Sequence, residues 1–311
     1  PEDIRPCLRC NENCIGRIWN RHTKLSCSVN PQAMEERRFR IEKTEEPKNV
    51  VVIGGGPGGM EAARVAALEG HKVTLFEKND RLGGVMGDIC TASFKKNMAA
   101  LTEWYRVQLK KLGVDVRLNT EIQADNPALE ACDNIIIGCG AKPLVPPIPG
   151  IDGANVVTML DCHRNASLLK GDNIVVCGGG ASGCDGALEM AKDLGKKVTI
   201  VEMMDECAKD AMFINKISLF NQLAQYQVKI LIGTKVVSIE ADGLLVEKKD
   251  GTQEKIAADT IVNAFGMRPD LTTVNAVKEK YHMKTRVVGD SVKLGKIGDA
   301  IRDGFGAAAS L

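Results

Sequence analysis

The sequence has almost no net charge, no long apolar run and few histidines, and each shortage narrows what it can do. Forty-one basic residues against 40 acidic ones leave a formal charge of +1, so the electrostatic footprint of a nucleic-acid binder is missing. No window approaches the roughly 20 apolar residues of a membrane span, and no charged-then-apolar leader opens the chain. The expectation is a soluble, cytoplasmic protein with no membrane or nucleic-acid partner. The four histidines, His22, His71, His163 and His282, read as loop or strand-edge residues without triad or metal partners, and no catalytic acid or base is nominated. Compact disulfide spacing is absent too. Seven of the 11 cysteines, Cys90, Cys132, Cys139, Cys162, Cys177, Cys184 and Cys207, are scattered along the chain, which suits a reducing compartment, and most read as small buried hydrophobes.

What is present begins with the other four cysteines. Cys7, Cys10, Cys14 and Cys27 stand in the pattern C-x2-C-x3-C-x12-C, a thiolate set for a metal ion or an iron-sulfur cluster. On spacing alone zinc and iron-sulfur are both open. Residues 1–47 show no regular apolar period. Between Arg5 and Lys24 the basic residues Arg5, Arg9, Arg17, Arg21 and Lys24 outnumber the single acid Glu12. This is a solvated loop, or positive charge offsetting an anionic thiolate-ligated group. A charged connector, 34–46, closes at Pro47.

From Asn49 the pattern changes. Asn49–Ile53 suits a strand buried on both faces of a parallel sheet. Gly54, Gly56 and Gly59 then complete G-x-G-x-x-G around Pro57 and Gly58, followed by an Ala-rich helix, 60–70, and a strand, 71–77. Such a turn lets a pyrophosphate approach the backbone and meet the unpaired N–H groups of the helix N-terminus. Glu77 stands where a ribose 2'-hydroxyl would be bound. The unit recurs as strand 173–177, the turn Gly178, Gly180, Ala181, Ser182 and Gly183, helix 184–194 and strand 197–202 ending in Glu202. Two dinucleotides are therefore expected. Met203, Met204 and Asp205 follow Glu202 with no arginine or lysine among them, which favours NADH over NADPH unless a distant loop supplies a base.

Further signals frame the two units. Arg81-Leu-Gly-Gly84 follows the first acid, and residues 133–143 read as an apolar strand with a small-residue turn at Gly138-Cys139-Gly140. The proline-rich Pro146–Gly150 marks a crossing between domains. Residues 228–259, broken by Asp242-Gly243 and Asp250-Gly251, suit an antiparallel meander. Residues 260–269, with Gly266, repeat the ending of 133–143, so the chain is expected to cross back. Val287–Asp290 and a small-residue helix, 297–309, then close the first domain.

Taken together, Gly54 to Gly59, Glu77, Arg81 to Gly84, Gly138 to Pro143, the second fingerprint and Gly289-Asp290 resemble the two-dinucleotide flavoprotein reductases. With four cysteines directly ahead, the chain is similar to the iron-sulfur branch of the old yellow enzyme superfamily, which includes 2,4-dienoyl-CoA reductase, 2-enoate reductase and trimethylamine dehydrogenase. The likeness spans essentially the whole chain. It implies an α/β fold of two Rossmann-like domains of the glutathione-reductase type behind a cysteine-rich segment. The division would be 1–47 for the cluster segment and connector, 48–152 plus 268–311 for FAD, and 153–267 for NAD(H). It implies that Cys7, Cys10, Cys14 and Cys27 hold a 4Fe-4S cluster. Gly54, Gly56, Pro57, Gly58, Gly59, Glu77, Lys78, Arg81, Gly84, Gly140, Gly289 and Asp290 would hold FAD, and Gly178, Gly180, Ala181, Ser182, Gly183, Glu202 and Gly266 would hold NADH.

The resemblance further implies a partner: an N-terminal TIM barrel with FMN, in the same polypeptide or a separate subunit, to which the cluster delivers electrons for reduction of an activated C=C bond. A homo-oligomer is compatible with all of this. One departure stands out, since the usual small-Thr-Gly turn reads Gly138-Cys139-Gly140. Three other readings compete. A disulfide reductase needs a cysteine pair beside the flavin, and neither Cys90 nor Cys177 with Cys184 has C-x-x-C spacing. A stand-alone electron-transfer subunit would serve a separate protein acceptor. A zinc-stabilised structural or sensing protein would use the same four thiolates.

Overall fold

The computed structural model describes residues 2–311; the side chain of Arg21, one of the basic residues counted above, lies outside the described set. The chain forms two units. The first holds the chain up to Cys90, Lys95–Lys142 and Arg268–Leu311, and the second holds Thr91–Phe94 and Pro143–Met267. The cysteine-rich segment thus belongs to the first unit, and the first crossing lies at residues 142 to 143, ahead of the prolines. Among the described residues no helix is long and apolar enough to cross a membrane.

In the first unit five parallel strands lie in the order Thr285–Val287, Asn134–Ile137, Asn49–Ile53, Lys72–Phe76, Asp115–Arg117. The central strand shows why its sequence is continuously apolar. Val50 and Val52 pack on one side with Met60, Ala62 and Ala66 of the helix Pro57–Leu68, while Val51 and Ile53 pack on the other with Phe76, Ile135 and Val277. Each fully buried Val or Ile is worth about 1.5–3 kcal/mol. Neither face could be polar.

The tail helix Ile297–Ala308 lies against Pro57–Leu68 almost backbone to backbone. A Cβ on Gly304 would fall 2.0 Å from the Gly58 carbonyl oxygen, and one on Gly58 would fall 3.0 Å from that of Ala300. Gly58 is thus a packing glycine for this helix pair.

The second unit repeats the plan. Its five parallel strands run Val156–Thr158, Thr260–Asn263, Asn173–Cys177, Lys197–Val201, Lys229–Leu231. Ile174 and Val176 face the helix Ala181–Lys192. Val175 and Cys177 face the expected antiparallel meander, Thr234–Glu240, Gly243–Lys248 and Gln253–Ala257, through Val236, Leu244 and Val246. The expectation of an α/β protein with two dinucleotide-binding folds is borne out.

Several sequence expectations need correction. Both fingerprint helices begin three residues earlier than the sequence pattern predicts, at Pro57 and Ala181. Gly56 and Gly180 are their extended N-caps, and Pro57 fits the first helical position because its missing N–H has no intrahelical partner to lose. The cysteine segment is not wholly irregular, since Ile15–Arg21 forms a short helix. His163 is not in a loop. It lies buried in the helix Met159–Arg164, with Nδ1 2.8 Å from Glu189 Oε2, while Thr91 Oγ1 donates to Glu189 Oε1 at 2.7 Å. Its partners make it a structural histidine.

Candidate dinucleotide sites and cysteine segment

Each glycine of the first fingerprint has a separate task. Gly54, at φ +103°, turns the chain off the central strand, and a Cβ there would lie 2.3 Å from the Gly138 carbonyl oxygen. A Cβ on Gly59 would lie 1.9 Å from the Gly54 carbonyl oxygen, so the helix can sit this close to the turn only with glycine. Gly56 has no atom within 4 Å of its would-be Cβ. Open space in front of a 12-residue helix N-terminus is where a pyrophosphate is accommodated by backbone N–H groups.

The second fingerprint repeats these approaches. A Cβ on Gly178 would lie 2.3 Å from the Ala264 oxygen, one on Gly183 would lie 2.0 Å from the Gly178 oxygen, and Gly180 faces open space. Ala181 and Ser182 are exposed at the helix start.

The two acids also act alike. Buried Glu77 accepts the Gly55 N–H at 2.6 Å on one oxygen and the Asn79 N–H at 2.8 Å on the other. Glu202 accepts the Gly179 N–H at 2.6 Å and the Met204 N–H at 2.8 Å. Each carboxylate therefore clamps its own glycine loop to the end of the second strand. Glu77 also accepts from Asn79 Nδ2 at 2.7 Å; a carboxylate offers about four lone-pair directions, so one remains on Glu77 and two on Glu202.

Other first-site residues assemble at the same, carboxyl-terminal strand edge. Gly84, in a left-handed turn at φ +53°, brings its would-be Cβ 3.1 Å from Gly56 Cα, and the Gly83 N–H donates to the Gly55 oxygen at 2.9 Å. The Gly140 N–H donates to Ser291 Oγ at 2.8 Å, which joins the 138–140 turn to Gly289 and Asp290. Ser291 escapes sequence reasoning; its place directly after Gly289-Asp290 is the only signal. The Asp290 carboxyl accepts from the Gly295 N–H at 2.9 Å, and burial raises its pKa, with Asp299 and Asp303 adding to the rise. Two residues stand apart from this convergence. Lys78 is exposed, and the Arg81 guanidinium is engaged with Asp88 at 2.8 Å. Cys139 sits in the turn as a thiol pushed up to about 11, chiefly by burial.

In the second site, Gly266 has open space at its Cα and accepts the Leu144 N–H on its oxygen. A base that the local sequence lacks stands close by, in the meander. Lys249 lies with its stem 3.4 Å from the would-be Cβ of Gly233 and pairs with Asp205. Gly233 in turn donates to the Met204 oxygen at 2.8 Å. A cleft of about 500 Å³ lies beside this pair, lined by Asp205, Gly233, Lys249 and their neighbours.

The four cysteines of the opening segment are free thiols; Cys7 is exposed and the others half-buried. Among the described residues no three His, Cys, Asp or Glu side chains are grouped to hold a metal ion. The local chemistry nevertheless fits a thiolate-ligated group. Arg9 and Asn11 are both held left-handed at φ 56°, a cost of order 1–3 kcal/mol each that bends the chain between Cys7 and Cys14. The Arg9 N–H points at Cys7 Sγ at 3.3 Å, and Cys10 Sγ contacts Ser28 Oγ at 3.2 Å. Backbone N–H and hydroxyl contacts of this kind tune cluster thiolates.

The segment is fastened to other elements of its unit. Lys296 pairs with Glu12 at 2.7 Å, Arg302 reaches Ser26, and a Cβ on Gly298 would strike Asn13 Nδ2 at 2.6 Å. Arg5 packs 4.4 Å from the Trp104 ring and pairs with buried Glu61 at 3.4 Å. Of the basic residues counted above, Arg5 is committed to Glu61 and Lys24 to Glu35. The tail helix touches the cysteine loop at one end and the fingerprint helix along its length.

Comparison with known proteins agrees with this geometry. The family described as pyridine nucleotide-disulphide oxidoreductase matches residues 48–291. A bilirubin reductase from Mediterraneibacter gnavus is 37% identical over 308 residues, which cover 98% of this chain and 47% of that protein. A cinnamate reductase from Clostridium sporogenes is 35% identical over 320 residues, 100% of this chain and 46% of that one. The solved structure of a 2-naphthoyl-CoA reductase with 2-naphthoyl-CoA superposes with a TM-score of 0.95 at 32% identity, covering 100% of this chain and 47% of that chain. The chain spans about half the length of these relatives. The resemblance to the dinucleotide-binding part of enoate-reductase-like flavoproteins is borne out.

Proposed function

Because the chain belongs to the pyridine nucleotide-disulphide oxidoreductase family, we propose that it is the electron-input half of an NADH-dependent reductase for activated C=C bonds of the 2-enoate or enone type. Its character as a nicotinamide- and flavin-dependent oxidoreductase follows from family and relatives. The finer reading rests on the residues. The observation that carries it is the duplicated clamp, Gly55 to Glu77 and Gly179 to Glu202, each beneath a helix start with an open glycine. Two sites of this build take two dinucleotides, FAD in the first and NADH in the second.

Bound FAD would accept hydride from NADH, and a 4Fe-4S cluster on Cys7, Cys10, Cys14 and Cys27 would carry electrons singly to an FMN outside these residues. The chain's own part is placement. Gly54, Gly56 and Gly59 shape the pyrophosphate seat, Glu77 keeps that loop closed, Gly84 and Gly140 line its rim, and Asp290 offers a carboxyl at its far side. Gly178, Gly180, Gly183 and Glu202 do the same for NADH, with Ala181, Ser182 and Gly266 at the rim. No acid-base group is required of this chain, because hydride transfer between stacked rings depends on geometry. Bilirubin, cinnamate and 2-naphthoyl-CoA are all conjugated unsaturated compounds, which supports a conjugated acceptor.

The test is an anaerobic titration. The flavin-loaded chain should lose its flavin absorbance on addition of NADH and pass electrons to artificial acceptors, without reducing an enoate by itself. Flavin that stays oxidised under excess NADH would refute the assignment of the second site.

Cofactor preference turns on the Lys249–Asp205 pair. Both partners are largely exposed, and such a pair is worth about 0–1 kcal/mol, so a 2'-phosphate can compete for the ammonium. In Asp205→Asn, Lys249 is left without its carboxylate. The NADPH Michaelis constant should fall about threefold while that for NADH stays level. Parallel changes for both cofactors in steady-state assays would remove Lys249 from the specificity site.

A further inference from the structure

Far apart in sequence, Cys184 and Cys207 meet beneath the second glycine loop. Cys184 is fully buried in the first turns of the helix Ala181–Lys192, and Cys207 lies in the segment after the strand Lys197–Val201, 2% exposed. Both sulfurs converge on Gly179. Cys184 Sγ reaches the Gly179 oxygen at 3.4 Å, and a Cβ on Gly179 would lie 2.4 Å from Cys207 Sγ. Each thiol also shifts the other's pKa, so the two are close neighbours.

The segment carrying Cys207 is held by a costly device. Ala208 adopts a left-handed conformation, φ 49°, and its N–H donates to the Gly179 oxygen at 2.7 Å. An alanine in that region costs of order 1 kcal/mol and persists only where its surroundings fix it. The N–H of this same Gly179 is the one bound by Glu202 at 2.6 Å. The thiol pair and the nucleotide loop thus share one residue.

Buried thiols are ordinarily inert. Cys207 differs because it lines a cleft of about 440 Å³ with Lys216, Phe220 and Ile232. The hydrogen bond from Cys184 draws its pKa down; Lys216 acts in the same direction, while burial and Glu202 oppose. Cys184 carries the complementary rise. Cys207 lines the cleft and fully buried Cys184 does not, the placement that an attacking and a resolving thiol require.

We propose that Cys184 and Cys207 form a peroxide-reactive dithiol site that controls the NADH loop. The Cys207 thiolate attacks one oxygen of a hydroperoxide, the O–O bond breaks, and the leaving oxygen takes a proton to depart as water or alcohol. Cys184, giving up its proton, attacks the resulting sulfenic sulfur and expels water. For hydrogen peroxide the sum is two thiols plus one peroxide giving one disulfide and two waters; the sulfurs lose two electrons and the O–O bond gains them. Closing the sulfurs from contact to bonding distance must move Cys207 relative to Gly179, where a single added carbon already has no room. The NADH seat is disturbed as a consequence.

The chemistry stands independently of the proposed function, whereas the effect on NADH rests on it. The full chain, flavin-loaded, is treated with hydrogen peroxide and split for peptide mapping and for NADH titration. Expected is a linked Cys184–Cys207 peptide, a Michaelis constant for NADH raised about tenfold, and reversal of both by dithiothreitol. In Cys184→Ser the same treatment should stop at a Cys207 sulfenic acid, captured by dimedone, without the rise. A folded protein whose other cysteines oxidise while these two remain unlinked would overturn the site. A linked peptide with an unaltered NADH constant, in protein that NADH still bleaches, would overturn the control of the loop alone.

Discussion

Gly59→Ala is expected to cost the protein its flavin and much of its stability, whereas Gly56→Ala should cost only the flavin. The methyl added at Gly59 would begin 1.9 Å from the Gly54 carbonyl oxygen. That atom is backbone, fixed by the turn off the central strand, so relief requires the helix Pro57–Leu68 to move. Overpacking of this kind costs about 1–3 kcal/mol, and the helix carries Met60, Ala62, Ala66 and the contact with the tail helix along with it. At Gly56 the added carbon meets nothing within 4 Å, and the backbone, φ −74°, is open to any residue. The melting temperature should therefore hold while the methyl occupies the pyrophosphate seat. Flavin content by absorbance and unfolding by circular dichroism separate the two. Equal flavin retention in Gly56→Ala and the parent would place the phosphates elsewhere.

Glu61→Ala should be the most destabilising single change in the first unit. The Glu61 carboxylate is fully buried; it accepts two bonds from Arg64 at 2.9 Å and one from the Tyr105 hydroxyl at 3.0 Å, and it pairs with Arg5 at 3.4 Å. Truncation leaves two arginines, 9% and 15% exposed, without their counter-charge. Removing one partner from a buried pair costs about 3–5 kcal/mol, or roughly 10 °C in the melting temperature of a unit this size. Arg5 also donates to the Val29 oxygen, just beyond Cys27, so the cysteine segment should loosen first. A thermal scan with iron analysis would show it. A drop under about 2 °C, corresponding to less than about 1 kcal/mol, would mean that Trp104 and Val29 hold Arg5 without Glu61.

The two fingerprints are legible in the sequence because Gly54, Gly59, Gly178 and Gly183 answer steric demands that no other residue meets, and because Val50 to Ile53 and Ile174 to Cys177 are buried on both faces. The meander is legible from Asp242-Gly243 and Asp250-Gly251. Other features depend on contacts that sequence spacing hides. The helix Lys96–Lys111 buries only Leu101, Trp104, Tyr105 and Leu109, a stripe diluted by charge. The Lys249–Asp205 pair joins a meander turn to the end of a parallel strand, and Cys184 with Cys207 meet only because strand and helix of one unit return to the same loop. Arg5 reads as a free surface charge until Glu61 is placed against it. The ribose role expected of Glu77 and Glu202 comes from their position after a strand, whereas the backbone clamp they form is invisible without coordinates.

The relay itself is tested most directly by adding NADH to the anaerobic, flavin- and iron-loaded chain and recording flavin absorbance with electron paramagnetic resonance on the same sample. The flavin should bleach and a reduced 4Fe-4S signal should then develop, and in Cys14→Ser this signal should disappear while the bleaching remains. Zinc in place of iron, or a bleached flavin with no iron-sulfur signal, would contradict the relay.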